Sequence, residues 1–238
     1  MSAGDAEVTV MDGFDSQPHE LPSAGLAPLD PVPDGLRQVD LETVTTAYGS
    51  IASLYIETLG SVEQAATEDR DLIARWSDAL PGPALDAGCG PGHWTAFLKA
   101  RGVEVEGIDA TPEFVKHAAH AHPDIRFQVA DLREFSLAES SLGGVLAWYS
   151  LIHFDPAHVP AMLSGFARAL RPGGGLLVGF FSGDRRELFD HRVVPGWKWP
   201  MSEMADALEA AGFEIVSRHE RPAPNGRQHA AIRARRAA

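Results

Sequence analysis

The 238-residue chain has one cysteine, Cys89. No internal disulfide can form, and a reducing, cytoplasmic setting is the expectation. No apolar run approaches the roughly 20 residues that cross a bilayer, so no membrane partner is expected. The first residues show no basic-then-apolar signal pattern. Basic residues are few: 20 Lys and Arg face 33 Asp and Glu, a formal net charge of −13. Such a surface disfavours phosphate backbones, and no nucleic-acid partner is expected. The one basic cluster, Arg227, Arg233, Arg235 and Arg236, reads as a solvated last strand and tail. There is no Cys-x-x-Cys spacing, and no metal is expected. Nothing in the sequence speaks to oligomeric state.

Residues 1 to 40 hold Pro18, Pro22, Pro28, Pro31 and Pro33, eight acids and a single Arg37. With no apolar period, this stretch reads as a flexible acidic tail ahead of a domain over 41–238. From 41 to 80 apolar residues recur at helical steps, first Val44, Ala47, Tyr48, Ile51, Leu54 and Tyr55, then Leu72, Ile73 and Trp76. That pattern predicts a helical cap. From 81 onward strands and helices alternate. Strand-like runs fall at 84–87, 103–108, 125–129, 142–148 and 175–181, with helical stretches at 94–99, 112–120, 157–170 and 204–211. Two later runs, 213–217 and 228–234, flank the turn-like Pro222-Ala223-Pro224-Asn225-Gly226 and suggest a hairpin. Alternation of this kind predicts an α/β fold with a doubly wound, mostly parallel sheet. Residues 182–200 lengthen the connection after the fifth strand into a long loop, read as an insertion on the substrate side.

The strongest local signal is Leu85-Asp86-Ala87-Gly88-Cys89-Gly90-Pro91-Gly92. A strand runs into a glycine turn and then a helix, whose unpaired N–H groups face whatever the turn holds. Asp109 ends the next strand-like run, 21 residues after Gly88, where an acid can take both hydroxyls of a ribose. A dinucleotide fingerprint spaces its glycines Gly-x-Gly-x-x-Gly. Here Gly92 comes one residue early and Asp86 sits inside the turn. A carboxylate there repels a pyrophosphate and suits a ligand carrying an amine and a sulfonium.

At these residues the chain resembles the class I S-adenosylmethionine-dependent methyltransferases, whose first motif is matched by Asp86, Gly88, Gly90 and Gly92. The resemblance covers roughly residues 43 to 235. It implies a Rossmann-like, seven-stranded sheet whose antiparallel seventh strand lies between the fifth and sixth. It also implies S-adenosylmethionine as cofactor and S-adenosylhomocysteine as product. In that family Asp86 would face the methionine amino group across the loop of Gly88 and Gly90. Asp109, with Ala110, would hold the ribose. Asp131 would accept the adenine amine while the N–H of Leu132 reaches the ring, and Trp148 would lie beside the cofactor.

Past the fourth strand, Trp148-Tyr149-Ser150-Leu151-Ile152-His153 occupies the end of the sheet where such folds bind ligands. His153 is the candidate general base, with Tyr149 beside it, because a free imidazole takes protons near neutrality. That assignment predicts a rate rising with pH up to the imidazole pKa. Tyr48 and Tyr55 on the cap, with His191, Trp197 and Trp199 in the insertion, are candidate walls for the acceptor. The Pro-Pro-aromatic signature of DNA-amine methylation is absent after the fourth strand. The only cysteine lies in the glycine loop, which excludes the Pro-Cys of cytosine methylation. The expectation is methyl transfer to an O, N or C atom of a small-molecule acceptor, by alignment for in-line displacement. The rivals are a cofactor-binding protein without transfer and a nicotinamide-dependent oxidoreductase.

Overall fold

A computed structural model describes residues 40–222 and 227–237. The acidic stretch 1–39 and the turn at 223–226 lie outside the described residues. Two short helices open the fold, α1 (Leu41–Ser50), capped by the Asp40 carboxylate on the Thr43 N–H, and α2 (Ala52–Leu59). They are separated by a break at Ile51, so the single apolar period seen in the sequence spans two helices. A 3-10 turn at Val62–Gln64 leads to α3 (Thr67–Ser77). The core then alternates β1 (Ala84–Ala87), α4 (His93–Ala100), β2 (Val105–Asp109), α5 (Pro112–Ala121), β3 (Arg126–Val129), β4 (Leu142–Trp148) and α6 (Val159–Ala169). It closes with β5 (Leu170–Ser182), β6 (Glu187–Phe189), β7 (Gly196–Trp199), α7 (Met201–Ala210), β8 (Phe213–Pro222) and β9 (Gln228–Arg236).

Strands β3, β2, β1, β4 and β5 lie side by side and parallel. β9 runs antiparallel along β5, and β8 antiparallel along β9, so the last strand sits between the fifth strand and its own hairpin partner. This is the seven-strand order expected from the resemblance. The sheet has nine strands, and the extra two come from the insertion. Residues 182–200 are not the open loop expected: β6 and β7 form a hairpin. β5 outruns β4 past Gly179, and β7 pairs with the exposed edge at Phe181 and Ser182. The connection before β5 differs too. Leu170 already pairs with Leu142, and residues 171–174 bulge before pairing resumes at Gly175.

Both faces of the sheet are covered, which is why β1 is buried along its whole length and β4 as far as Ala147. Alternate residues serve opposite faces. Leu85, Ala87, Val145 and Ala147 pack toward α6 and α7 with Val159, Leu163, Phe166 and Leu208. Ala84 and Leu146 pack toward α3 and α4 with Ile73, Trp76 and Leu98. In α6 the stripe Val159, Met162, Leu163 and Phe166 is buried as its spacing predicts.

Candidate active site

The strand order reverses between β1 and β4, and the chain leaves both strands at their carboxyl ends. Ligands of open α/β sheets bind at such a point. Here a cavity of about 340 Å³ opens over it. Its lining runs from the glycine loop and β2 at one end to β5 and β9 at the other, with α1 and α2 across the top.

At the loop end, Asp86 is only 1% exposed. Its neighbours face α6 and α7, so its carboxylate points toward α4, where the Thr95 hydroxyl donates to it at 2.7 Å. Burial pushes the Asp86 carboxyl up to about 7, against that hydrogen bond and helped by the charge of Asp109. Gly88 has φ +82°, and a Cβ there would lie 2.2 Å from the Cβ of Ser150, so only glycine fits between β1 and β4. Gly90 has φ +52° and open space where a Cβ would stand, leaving its backbone bare to the cavity. Asp109 ties the loop together: one oxygen accepts from the Gly90 N–H at 2.9 Å, the other from the Thr111 N–H at 2.8 Å. Each oxygen keeps a lone pair for a ligand. Burial raises this carboxyl as well. Ala110 follows it in the wall. Two buried acids beside a bare glycine turn suit a ligand with an ammonium and a sulfonium and oppose a pyrophosphate. The residues therefore fit S-adenosylmethionine.

Beside β3, Leu132 lines the cavity as expected, and so does Arg133. Asp131 does not: the Arg133 guanidinium holds its carboxylate at 2.6 Å and the Arg133 N–H at 2.9 Å. That ion pair lowers the Asp131 pKa against its partial burial.

The other end is a chamber of rings. Trp148 ends β4, its ring 5.4 Å from that of Tyr149. Tyr149 sits at φ +55°, a left-handed conformation that a bulky residue adopts only when its surroundings impose it. Its hydroxyl meets Nδ1 of His229 at 2.5 Å. On α1, the Tyr48 hydroxyl lies 2.9 Å from Nε2 of His153, and Nδ1 of His153 lies 3.0 Å from the Pro195 carbonyl. A carbonyl only accepts, so Nδ1 carries the proton and Tyr48 donates to Nε2. Tyr48 thus latches the cap onto the core, and Tyr55 and Phe114 pack around it. His191 lies edge-to-face 5.0 Å from His153, and its buried Nδ1 has no partner among the described residues.

Burial fixes these groups in their neutral forms. His153 and His229 are pushed down to about 4, and His191 falls well below the usual imidazole value, with His153, Arg227 and Arg192 adding to the effect. Tyr48 and Tyr149 are raised, and Tyr55 is pushed up to about 12. This corrects the expectation that His153 titrates near neutrality. It is already unprotonated well below pH 7.

The structure brings together Asp86, Gly88, Gly90, Asp109, Ala110, Leu132, Trp148, Tyr149, His153, Tyr48, Tyr55 and His191 around one cavity. Trp197 and Trp199 stay outside it. Both lie on β7 and pack against the α6–α7 core; Trp199 is 2% exposed, with Arg186 4.2 Å over its ring. The sequence reading missed His93, Phe114, Ser150, Phe181 and His229, which also line the cavity. His93 opens α4 directly after the glycine loop, a position that could have flagged it. His229 and Phe181 meet only through β5–β9 pairing, which no local pattern announces.

Fold and loop together define a doubly wound, Rossmann-like domain. Residues 84–174 match a family model described as a methyltransferase domain. A trans-aconitate 2-methyltransferase of Rhizobium meliloti is 38% identical over 115 residues, 46% of this chain and 42% of that one. A malonyl-acyl-carrier-protein O-methyltransferase of Serratia marcescens is 28% identical over 179 residues, 71% of this chain and 69% of that one. The chain thus spans less than half the length of the trans-aconitate relatives it matches. Among solved structures, a 1,6-didemethyltoxoflavin-N1-methyltransferase of Burkholderia thailandensis superposes with a TM-score of 0.68 at 24% identity, covering 93% of this chain and 100% of that one. The cyclase SpnF superposes at 0.69 and 20% identity, covering 82% and 95%. Residues 84–174 thus match a methyltransferase domain, and the surrounding fold is shared with solved methyltransferase structures. Among the described residues no helix is long and apolar enough to cross a membrane.

Proposed function

We propose that this protein transfers the methyl group of S-adenosylmethionine to a small molecule held in the aromatic end of the cavity. The observation that carries the reading is the pair of buried acids, Asp86 and Asp109, around a bare glycine turn at the switch point. Bound there, S-adenosylmethionine would supply an electrophilic methyl on a sulfonium, with S-adenosylhomocysteine and a proton as the other products of transfer.

The chain's contribution is alignment, which can supply about 7–11 kcal/mol in well-oriented reactions. Asp109 holds the ribose and fixes the loop that Asp86 supports. Asp131, through its grip on Arg133, shapes the adenine end beside Leu132. Trp148 and Tyr149 form the partition between cofactor and acceptor. The Tyr48 latch closes the cap over both. His153 keeps an unprotonated Nε2, which accepts from the Tyr48 hydroxyl and can take a proton once that hydroxyl turns away. A ring held near pKa 4 is a weak base, but an acceptor that has just gained a methyl is strongly acidic and can give up its proton to it. Trp197 and Trp199 support the chamber from outside. A single buried thiol and an acidic surface are compatible with a reducing, cytoplasmic setting.

Calorimetric titration with S-adenosylmethionine, S-adenosylhomocysteine and NADH tests the reading, followed by incubation with pooled metabolites. Binding of the first two, no binding of NADH, and release of S-adenosylhomocysteine are expected. NADH binding alone would make the protein an oxidoreductase. Cofactor binding with no turnover on any pool would make it a binding protein.

A further inference from the structure

The charges at the two ends of the cavity differ in a way that selects the acceptor. Every acid in the lining lies at the loop end or on the turn after His153: Asp86, Asp109 and Asp155. Among the described residues Arg133 is the one Lys or Arg in the lining, and Asp131 already pairs with it through both carboxylate oxygens. Arg192 and Arg227 flank His191 from outside the lining, where the Arg227 guanidinium stacks over Phe189 and donates to the Asp190 carbonyl. Arg221, near His229, is paired with Asp69 at 2.7 Å.

The chamber itself offers rings and one unspent polar atom, and a second stands at its border beside Gly88. Tyr48, Tyr55, Phe114 and Phe181 present apolar faces and edges. Nδ1 of His191 and Oγ of Ser150 are both buried without a hydrogen-bond partner. Buried polar atoms are normally satisfied, so an unpaired pair lining one cavity points to a ligand that completes them. Among the described residues a carboxylate acceptor would meet no lining cation but Arg133, already held by Asp131, and would have acids nearby. Burying an unpaired charge is strongly unfavourable. An aromatic ring, by contrast, gains area burial and edge-to-face contacts.

Resting on the methyl-transfer reading, we propose that the acceptor is an uncharged, planar aromatic or heteroaromatic molecule whose N–H or O–H donates to His191 Nδ1, with Ser150 Oγ as its second polar contact. The class lacks the negative charge of trans-aconitate, named for the relatives of the methyltransferase domain. The acceptor chamber draws on residues beyond that domain, namely Tyr48, Phe181, His191 and His229, so the shared domain does not fix its chemistry.

The test uses the full chain saturated with S-adenosylhomocysteine, whose own binding is measured first. Absence of that binding overturns the parent reading, and this inference with it. The loaded protein is then titrated with 1-naphthol, 4-hydroxyquinoline and indole, and separately with trans-aconitate. At least one uncharged ring should bind, trans-aconitate should not, and His191→Phe should weaken the ring by tenfold or more while S-adenosylhomocysteine affinity stays within twofold. Binding of trans-aconitate, or of none of the rings, overturns the proposal whatever the variant does. Ring binding that survives His191→Phe and Ser150→Ala unchanged overturns it as well.

Discussion

The two ends of the cavity are built from different materials and by different routes. At the loop end, one stretch of chain from Asp86 to Gly92 makes the turn, and a second from Asp109 to Thr111 ties it down through two backbone N–H groups. Its chemistry is charge: buried acids with raised pKa values. At the aromatic end, side chains arrive from α1, α5, the turn after β4, β5, the insertion and β9. Its chemistry is neutrality: imidazoles held unprotonated and phenols held protonated. The loop end, which on the proposed reading serves the cofactor, has a local signature. The aromatic end, proposed for the acceptor, has none.

Substitutions separate the ends, starting with the largest effect. Trp199→Ala should cost about 3–5 kcal/mol of stability, the usual loss for a buried Trp, and lower the melting temperature by ten degrees or so. If Trp199 instead bound the acceptor, the variant would keep its melting temperature and lose only acceptor affinity. His153→Ala should lower turnover by about 10²-fold while leaving S-adenosylhomocysteine affinity unchanged. Because its ring is held near pKa 4, the wild-type rate should be flat in pH from about 5.5 upward as far as this residue is concerned. A rise with a midpoint near 6.5 would show that the ring is solvated in the working enzyme.

Asp109→Ala should weaken S-adenosylmethionine binding more than tenfold, since charge-assisted hydrogen bonds to the ribose are worth about 1.5–3 kcal/mol. The acceptor chamber should survive it, as shown by an unchanged circular-dichroism spectrum and melting curve. Tyr48→Phe removes only the latch to His153, a net of about 0.5–1.5 kcal/mol. It should raise the acceptor KM several-fold and leave cofactor affinity nearly unchanged.

The neutral rings also set an acid limit. His93, His153 and His229 stay unprotonated in the folded chain down to about pH 4, whereas the unfolded chain protonates them near 6.5. Between those values the unfolded state binds more protons, so stability falls as pH falls. His191, lowered as well, adds to the effect, while Asp86, raised to about 7, and Asp109 oppose it. The melting temperature at pH 5 should lie several degrees below that at pH 7. His153→Phe should reduce the gap.

The sequence made the loop end and the sheet legible because both rest on short-range patterns. The glycines, the strand-end acid at Asp109 and the strand–helix alternation are written within a few residues of one another. Asp131 was legible as a strand-end acid, but its pairing with Arg133 was not, since nothing in a sequence says which way a loop carboxylate turns. The insertion misled for a related reason. Residues 182–200 carry no strand alternation, and they became a hairpin only because β5 outruns β4 and leaves an edge to be covered. Trp197 and Trp199 were drawn from the acceptor side into the core by that pairing. Tyr48, Tyr55, His153 and His191 were placed in the chamber from position alone. Their neutrality was not legible, because it depends on burial by elements far apart in the chain.

The division of the cavity is tested most directly by a crystal structure of the chain with S-adenosylhomocysteine. The account places the ribose hydroxyls on Asp109, the adenine beside Leu132 and the amino acid end over Gly88 and Gly90. The sulfur then faces Tyr149, and the chamber of Tyr48, His153 and His191 stays open to the acceptor. An adenine or ribose seated among Tyr48, His153 and His191, with the Asp109 carboxylate untouched, would contradict it.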